Sequence, residues 1–286
     1  MWAKKIQVYG RLIKFSHTVF ALPFALAAVL LANRQAPVTW TTLVLILAAM
    51  AAARSAAMGF NRYADCDYDR LNPRTAGRPF STGQVDGRSV LALTGLSALA
   101  FVAASALLGK LCFILSFPVL AVLFVYSYTK RFTSLSHLVL GFAIGLAPAG
   151  AWVAASGGLD PRVLLLSFAL MTYIAGFDIL YACQDIGFDR EHNLFSGPAC
   201  WGVRRALTVS CLLHLLTFSF LLGLYFAFGL GGTYLLFLLA ISILLGIEHW
   251  LVKPDSLDRV NVAFFHINSA VSVLLFVGIL ADLWPM

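Results

Sequence analysis

Nine apolar runs, each close to the length of a bilayer crossing, divide the 286-residue chain at roughly 16–33, 39–60, 89–108, 111–129, 135–155, 163–183, 205–228, 232–252 and 261–282. About twenty apolar residues span the hydrocarbon core as a helix. Within lipid an open chain must satisfy its backbone polar groups internally, so each run reads as helical. Only 12% of the residues are charged and 60% are hydrophobic, whereas a soluble domain carries charge on about a quarter of its residues. A soluble enzyme, a disordered chain and a secreted disulfide scaffold are thereby excluded. The pattern predicts an all-α integral membrane protein, nine transmembrane helices around a central cavity, forming one domain over residues 1–286.

Charge sets the expected orientation. Sixteen Lys and Arg fall in the first, third, fifth, seventh and ninth polar segments, among them Lys4, Lys5, Arg11, Lys14, Arg62, Arg70, Arg74, Arg78, Lys130, Arg131 and Arg259. Arg34, Lys110 and Arg162 alone hold the other side, and Arg54 lies inside a run. Cytoplasmic loops collect positive charge, so the N-terminus is expected in the cytoplasm. The first fifteen residues are basic and amphipathic with no small-residue cleavage site, and no signal peptide is expected. Five cysteines without C-x-x-C spacing predict buried apolar thiols. Pro23, Pro118 and Pro148 are expected to kink helices.

The acidic residues carry the functional signal. Eight of the thirteen lie in two short stretches. In the first, Asn61, Asp65 and Asp69 are spaced four apart, which aligns them on one face of a continuing helix. In the second, Asp185 and Asp189 repeat that spacing. Both stretches end even-numbered runs, so both are expected at the cytoplasmic face, where helix C-termini favour cations. Asp67 is off the stripe, and Asp86 reads as a turn or N-cap residue.

Paired carboxylates at one depth repel one another unless cations lie between them. Mg²⁺ takes oxygen ligands, keeps several waters and is held by one or two carboxylates together with substrate phosphates. Directly after the first stripe, Asn72 to Pro79 places Arg74 and Arg78 in a restrained loop suited to phosphate. Lys130 and Arg131 add positive charge at the same face. Carboxylates, metal and arginines beside an apolar cavity describe a diphosphate site. A diphosphate whose other half belongs in lipid is a polyprenyl diphosphate.

These motifs resemble the UbiA superfamily of intramembrane prenyltransferases, with N-x-x-x-D-x-x-x-D after one helix and D-x-x-x-D after another. The segments Lys14 to Pro23, Asn72 to Pro79, Tyr126 to Arg131 and Tyr181 to Asp185 are similar to the bacterial 4-hydroxybenzoate polyprenyltransferase group, which includes a branch acting on a dihydroxynaphthoate in the futalosine route to menaquinone. The resemblance implies that Asn61, Asp65 and Asp69 hold one Mg²⁺ and that Asp185 and Asp189 hold a second. It further implies catalytic roles for Asp65, Asp69, Asp185 and Asp189, and diphosphate binding by Arg74, Arg78 and Lys130. The activity implied is Mg²⁺-dependent transfer of a polyprenyl group to an aromatic acid in ubiquinone or menaquinone synthesis at the bacterial inner membrane. Tyr63, Tyr68, Tyr126 and Tyr181 offer aromatic faces to an allylic cation. No nucleic acid and no obligate protein partner are expected. One stretch, Asn193 to Pro198, departs from the basic or His-Ser-containing sequence common at that place, and no acceptor contact is carried onto it.

Arg54 lies seven residues before Asn61, and Asp178 seven before Asp185, two helical turns or about 10 Å deeper. They are expected to face each other, as an ion pair or, with Tyr126 and Tyr181, as an acceptor pocket. His17 and His137 have a site role or a satisfied interfacial one. His214 and His266 are expected to hydrogen-bond between helices, and Glu248, His249 and Lys253 to form an interfacial charge cluster. A secondary transporter with paired ion-binding acids is the alternative from another class, although transporters place such acids near the midplane. Within the superfamily, haem, a chlorophyll precursor or a sugar phosphate is the alternative acceptor.

Overall fold

The computed structural model describes residues 2–13, 15–253, 257, 260 and 263–284, without the side chains of 2–6, 15–17, 263 and 264. The roles expected of the Lys4, Lys5, Lys14, His17 and Arg259 side chains lie outside the described residues. Among the described residues thirteen α-helices follow in order: α1 (Trp2–Leu12), α2 (Leu22–Asn33), α3 (Trp40–Ala64), α4 (Cys66–Leu71), α5 (Gly87–Leu108), α6 (Lys110–Thr129), α7 (Ser136–Ser156), α8 (Val163–Ala182), α9 (Ile186–Glu191), α10 (Gly197–Trp201), α11 (Val203–Phe228), α12 (Gly232–Leu251) and α13 (Asn268–Leu283). Among the described residues, eight helices are long and apolar enough to cross a membrane: α3, α5, α6, α7, α8 continued to Glu191, α11, α12 and Phe265–Leu283.

The first apolar run differs from a single uninterrupted span. It forms a tight 3-10 turn, Phe15–Phe20, followed by the twelve-residue α2. Pro23 stands in the first turn of α2, where a missing N–H costs nothing and a fixed φ helps initiation. It starts a helix instead of kinking one. Pro118 and Pro148 do stand inside α6 and α7. At the far ends, Gly157 and Gly229 close α7 and α11 in the left-handed conformation, φ 79° and 58°, which glycine adopts without a Cβ penalty.

Contacts divide the chain into two compact units, Met1–Thr18 with Trp40–Tyr128, and Val19–Thr39 with Thr129–Met286. In the first, α3 lies close along α5: a Cβ on Gly59 would stand 2.5 Å from the Thr94 hydroxyl. Leu12 of α1, Cys66, Phe80, Val85 and Val90 form a buried cluster joined by Val8, Tyr9 and Leu93. The apolar face of α1 is thus spent on the segment that follows the first acidic stripe. Phe60 of α3 meets Phe124 and Tyr128 of α6, with ring centroids 4.6 and 5.8 Å apart.

The second unit is organised on α8, where Leu166, Leu170, Tyr173, Ile174, Ile179 and Leu180 are buried. Its neighbour α7 carries Gly141 and Gly145, one turn apart. A Cβ on Gly141 would collide with the Met171 carbonyl oxygen, and one on Gly145 would stand 2.9 Å from that of Ser167. This small-x-x-x-small edge lets two backbones touch, the source of helix association where lipid gives no hydrophobic drive. On the other side, the Thr172 and Thr217 hydroxyls pair at 2.9 Å between α8 and α11.

A polar cluster lies within this unit. Asn268 donates to Glu248 at 2.9 Å, the Tyr173 hydroxyl donates to the Asn268 carbonyl at 2.7 Å, and the His214 and His249 rings bond at 2.9 Å. Glu248 is 0% exposed, so it is a buried group and not part of an interfacial charge cluster. Lys253, by contrast, is exposed, as is His266; His214 does bond between helices. All five cysteines are free, with Cys66 and Cys183 buried and Cys200 exposed, so burial holds for only part of the set.

The α7–α8 contact is testable. Gly141→Ala must push the helices apart, at an overpacking cost of about 1–3 kcal/mol, whereas Gly150 on the same helix faces open space. Thermal unfolding in detergent should fall clearly for Gly141→Ala and stay at the wild-type value for Gly150→Ala; equal melting temperatures would exclude the close contact.

Candidate active site

The first acidic stripe spans the junction of α3 and α4. Asp65 interrupts the helix at φ −95°, ψ 4°, yet the i to i−4 bonds continue: Asp65 N–H to the Asn61 carbonyl at 2.9 Å and Asp69 N–H to the Asp65 carbonyl at 2.8 Å. The three side chains therefore keep the common face that their spacing requires. The Asn61 amide donates to Asp65 at 3.0 Å and approaches the Ser127 hydroxyl of α6 at 3.5 Å. Asp65 and Asp69 are 4% and 6% exposed.

A carboxylate so far from water needs positive charge and donors around it. Asp69 receives one Arg78 guanidinium nitrogen at 2.6 and 2.5 Å from its two oxygens, and an Arg62 nitrogen at 3.5 Å. Arg62 is itself buried and donates to the Leu12 carbonyl at the end of α1, 3.3 Å away. It was legible only as an orientation charge, although its seven-residue spacing from Asp69, two helical turns, was the available signal. The Tyr126 phenol stands within electrostatic reach of Arg62, Asp65 and Arg54. Arg54, half-buried two turns up α3, thus belongs to the same polar centre.

The loop after α4 is tied to the stripe by its own side chains. Asn72 accepts the Arg74 N–H at 2.9 Å in an Asx turn, and the buried Thr75 hydroxyl donates to the Asp69 carbonyl at 3.0 Å. The two loop arginines are not equivalent. Arg78 turns inward to Asp69, whereas Arg74 is exposed. Off the stripe, Asp67 is exposed and lies 4.0 Å from Arg70, and Asp86 occupies the N-cap of α5. Tyr63 stacks on Phe80 at 6.3 Å and is exposed.

The second stripe breaks its helix in the same manner. Cys183–Asp185 tightens into a 3-10 turn between α8 and α9. Asp185 is half-buried and Asp189 is 8% exposed. Asp185, Lys130 and His137 act electrostatically on Asp189, which brings three of the predicted or candidate residues to one place. Tyr181 is half-buried at the end of α8. The stretch after α9 is anchored by main-chain donors: Leu194 N–H to the Asp189 carbonyl at 2.8 Å and Phe195 N–H to the Lys130 carbonyl at 2.7 Å.

Asp178 finds a partner within its own unit. His137 Nδ1 bonds its Oδ2 at 2.7 Å, and the Gly197 N–H donates to His137 Nε2 at 3.3 Å. Within the second unit the partner of Asp178 is thus a histidine. That partner had a weak sequence signal, since His137 is 41 residues away on another helix.

Among the described residues, no group of three or more His, Cys, Asp or Glu side chains is arranged to enclose a metal ion. Each stripe instead offers two carboxylates, with an Asn amide in the first. That all-oxygen, low-count donor set fits a hard cation that completes its shell with water and phosphate oxygens. Burial of Asp65, Asp69 and Asp189 adds the low-dielectric surroundings in which such charges act strongly.

Comparison with known proteins agrees with this chemistry. Residues 21–270 match the UbiA prenyltransferase family. The 4-hydroxybenzoate octaprenyltransferase of Aeromonas salmonicida is 31% identical over 96% of this chain and 93% of its own length. The Vibrio cholerae protein of the same name is 30% identical over 99% of this chain and 100% of its own. Among solved structures, the apo structure of a UbiA homolog from Aeropyrum pernix K1 superposes with a TM-score of 0.85 at 36% identity, covering 94% of this chain and 98% of that one. A UbiA homolog from Archaeoglobus fulgidus, bound to GPP and Mg²⁺, shares the fold with a TM-score of 0.69 at 20% identity over 96% and 99% of the two chains. A match that runs across nearly the whole chain and includes both acidic stripes places this protein in the UbiA prenyltransferase family.

Proposed function

We propose that this enzyme transfers a polyprenyl group from a polyprenyl diphosphate to an aromatic acid, 4-hydroxybenzoate, for respiratory quinone synthesis at the cytoplasmic face of the bacterial inner membrane. The observation that carries the reading is the Asn61–Asp65–Asp69 row, its two acids buried, with Arg78 on its last member. A deeply buried acid row faced by a phosphate-type cation suits a substrate that brings both metal and diphosphate. The relatives named above supply the acceptor class. The turn Phe15–Phe20 with α2 is read as a ninth crossing, the N-terminus as cytoplasmic, and residues 1–286 as one domain.

In this reading Asn61, Asp65 and Asp69 hold one Mg²⁺, and Asp185 and Asp189 hold a second. When bound, Mg²⁺ neutralises the charge that develops on the departing diphosphate. Arg78, released from Asp69, offers its guanidinium to that diphosphate together with Arg74 and Lys130. Such preorganised charge lowers the cost of breaking the allylic C–O bond. Tyr126 and Tyr181 offer aromatic faces to the allylic cation, and Arg54 pairs with the acceptor's carboxylate. The paired acids stand at helix ends beside an arginine loop, which favours this reading over an ion-coupled transporter.

Two outcomes test it. Asp65→Ala and Asp185→Ala should each lower prenyl transfer by on the order of 10²–10³-fold or more while membrane expression is unchanged; full activity of either variant at saturating Mg²⁺ would remove that residue from the metal role. Membranes supplied with labelled polyprenyl diphosphate should prenylate 4-hydroxybenzoate and lose the product on addition of EDTA. Product formed only on a dihydroxynaphthoate would move the enzyme to the menaquinone branch, and product unaffected by EDTA would defeat the metal assignment.

A further inference from the structure

Two arginines share the buried Asp69 carboxylate, and their places in the first unit set them apart. Arg78 reaches both oxygens through one nitrogen, Nη1, at 2.6 and 2.5 Å, not through the two-nitrogen fork that gives arginine–carboxylate pairs their strength. It stands in the loop after α4 with its side chain 19% exposed. Arg62 stands on α3 with its side chain 6% exposed. Its Nη1 lies 3.5 Å from Asp69, and its Nε donates to the Leu12 carbonyl at 3.3 Å.

The bond to Leu12 makes Arg62 a fixture. The last carbonyls of a helix have no partner within it, and Arg62 satisfies the one that closes α1. Leu12 is in turn buried with Phe80 and Val85, so the core holds that end of α1 in place. Arg62 cannot turn toward a ligand without uncapping α1. Arg78 can turn by rotating side-chain bonds alone, while its main chain keeps the bonds from Arg78 N–H to the Thr75 carbonyl and from Thr82 N–H to the Arg78 carbonyl, both 3.0 Å. Once it turns, Asp69 loses its nearest counter-charge while withdrawn from water. An uncompensated buried charge is strongly destabilising, and a second cation that stays behind offsets that cost.

We infer that Arg62 is a positioning residue, which keeps Asp69 charge-compensated and in the stripe while Arg78 exchanges that carboxylate for the diphosphate. The inference rests on the prenyltransferase reading above and uses only groups of the first unit. Arg62 touches no substrate and acts through Asp69 and Arg78. Its charge makes the departure of Arg78 affordable, and its bond to Leu12 keeps that charge from departing too. Without Arg62, Asp69 would have to retain Arg78, and the loop would offer the diphosphate one guanidinium fewer.

A double-mutant cycle read as binding tests this. The full chain in nanodiscs with Mg²⁺ is titrated calorimetrically with inorganic diphosphate, as wild type, Arg62→Gln, Arg78→Gln and the double variant. Each single substitution should weaken binding by about tenfold or more. The double variant should be within about twofold of Arg78→Gln, because with Arg78 gone there is no cation to release. Losses that multiply overturn the inference, since Arg62 would then act independently of Arg78, and so does wild-type affinity in Arg62→Gln. Arg62→Lys keeps the charge but cannot bridge Asp69 and Leu12 with one ammonium, so its loss should be smaller and should likewise vanish beside Arg78→Gln. Equal losses in Arg62→Lys and Arg62→Gln would assign the effect to the cap on α1 and overturn the role of the charge. Should Arg62→Gln not fold, Arg62→Lys completes the same cycle, and wild-type affinity or multiplying losses there overturn the inference equally. If the wild type binds no inorganic diphosphate, the diphosphate reading itself fails, which differs from multiplying losses in a protein that binds it.

Discussion

A carboxylate such as Asp69, almost wholly withdrawn from water at the end of an apolar helix, is tenable only with positive charge against it. Arg78 and Arg62 provide that charge, and each drags a further piece of structure with it. Arg62 ties the stripe to the last carbonyl of α1, whose apolar face packs on Phe80 and Val85. Arg78 ties the stripe to its own loop, which Thr75 and Asn72 fold back. The acid row thus organises both the segment before it and the segment after it. Its guanidinium partners are also the groups best suited to exchange a carboxylate for a phosphate.

The second stripe is positioned by a different force. Helices in lipid gain little from burying apolar surface against one another, so close backbone contact must hold them. Gly141 and Gly145 give α7 a smooth edge that meets the carbonyls of α8. That contact sets the register that puts His137 at bonding distance from Asp178. Packing by the smallest residues and placement of the most polar ones are two aspects of one helix pair.

Most of the helical layout was legible because bilayer thickness imposes a length on every crossing and the acids advertise themselves in so apolar a chain. The runs at 39–60, 163–183 and 205–228 reappear as α3, α8 and α11. The first run did not reappear whole, because a proline at position 23 reads equally as a kink or as a helix start, and only neighbouring structure decides. The stripe residues were found by four-residue spacing, which continuing i to i−4 bonds preserved through the break at Asp65. Arg62 was concealed by its ordinary position at a cytoplasmic-type helix end. Glu248 was misread for a related reason: an acid three residues from a helix end resembles a solvated one until Asn268 and His214, distant in sequence, are seen around it. Pairings between side chains on different helices, such as His137 with Asp178, have no local periodicity to betray them.

Three amide hydrogens of the segment from Asn193 to Pro198, those of Leu194, Phe195 and Gly197, tie it to its neighbours, and its Leu194 and Ser196 side chains are buried. Such bonds are blind to the side chain that follows. They would persist through a change of letter at Phe195, whose side chain is exposed. Two letters are constrained by local geometry: Asn193, at a positive φ of 53°, and Gly197, whose Cβ would strike the Trp201 ring. A stretch whose spelling departs from expectation can still be held firmly by its main chain.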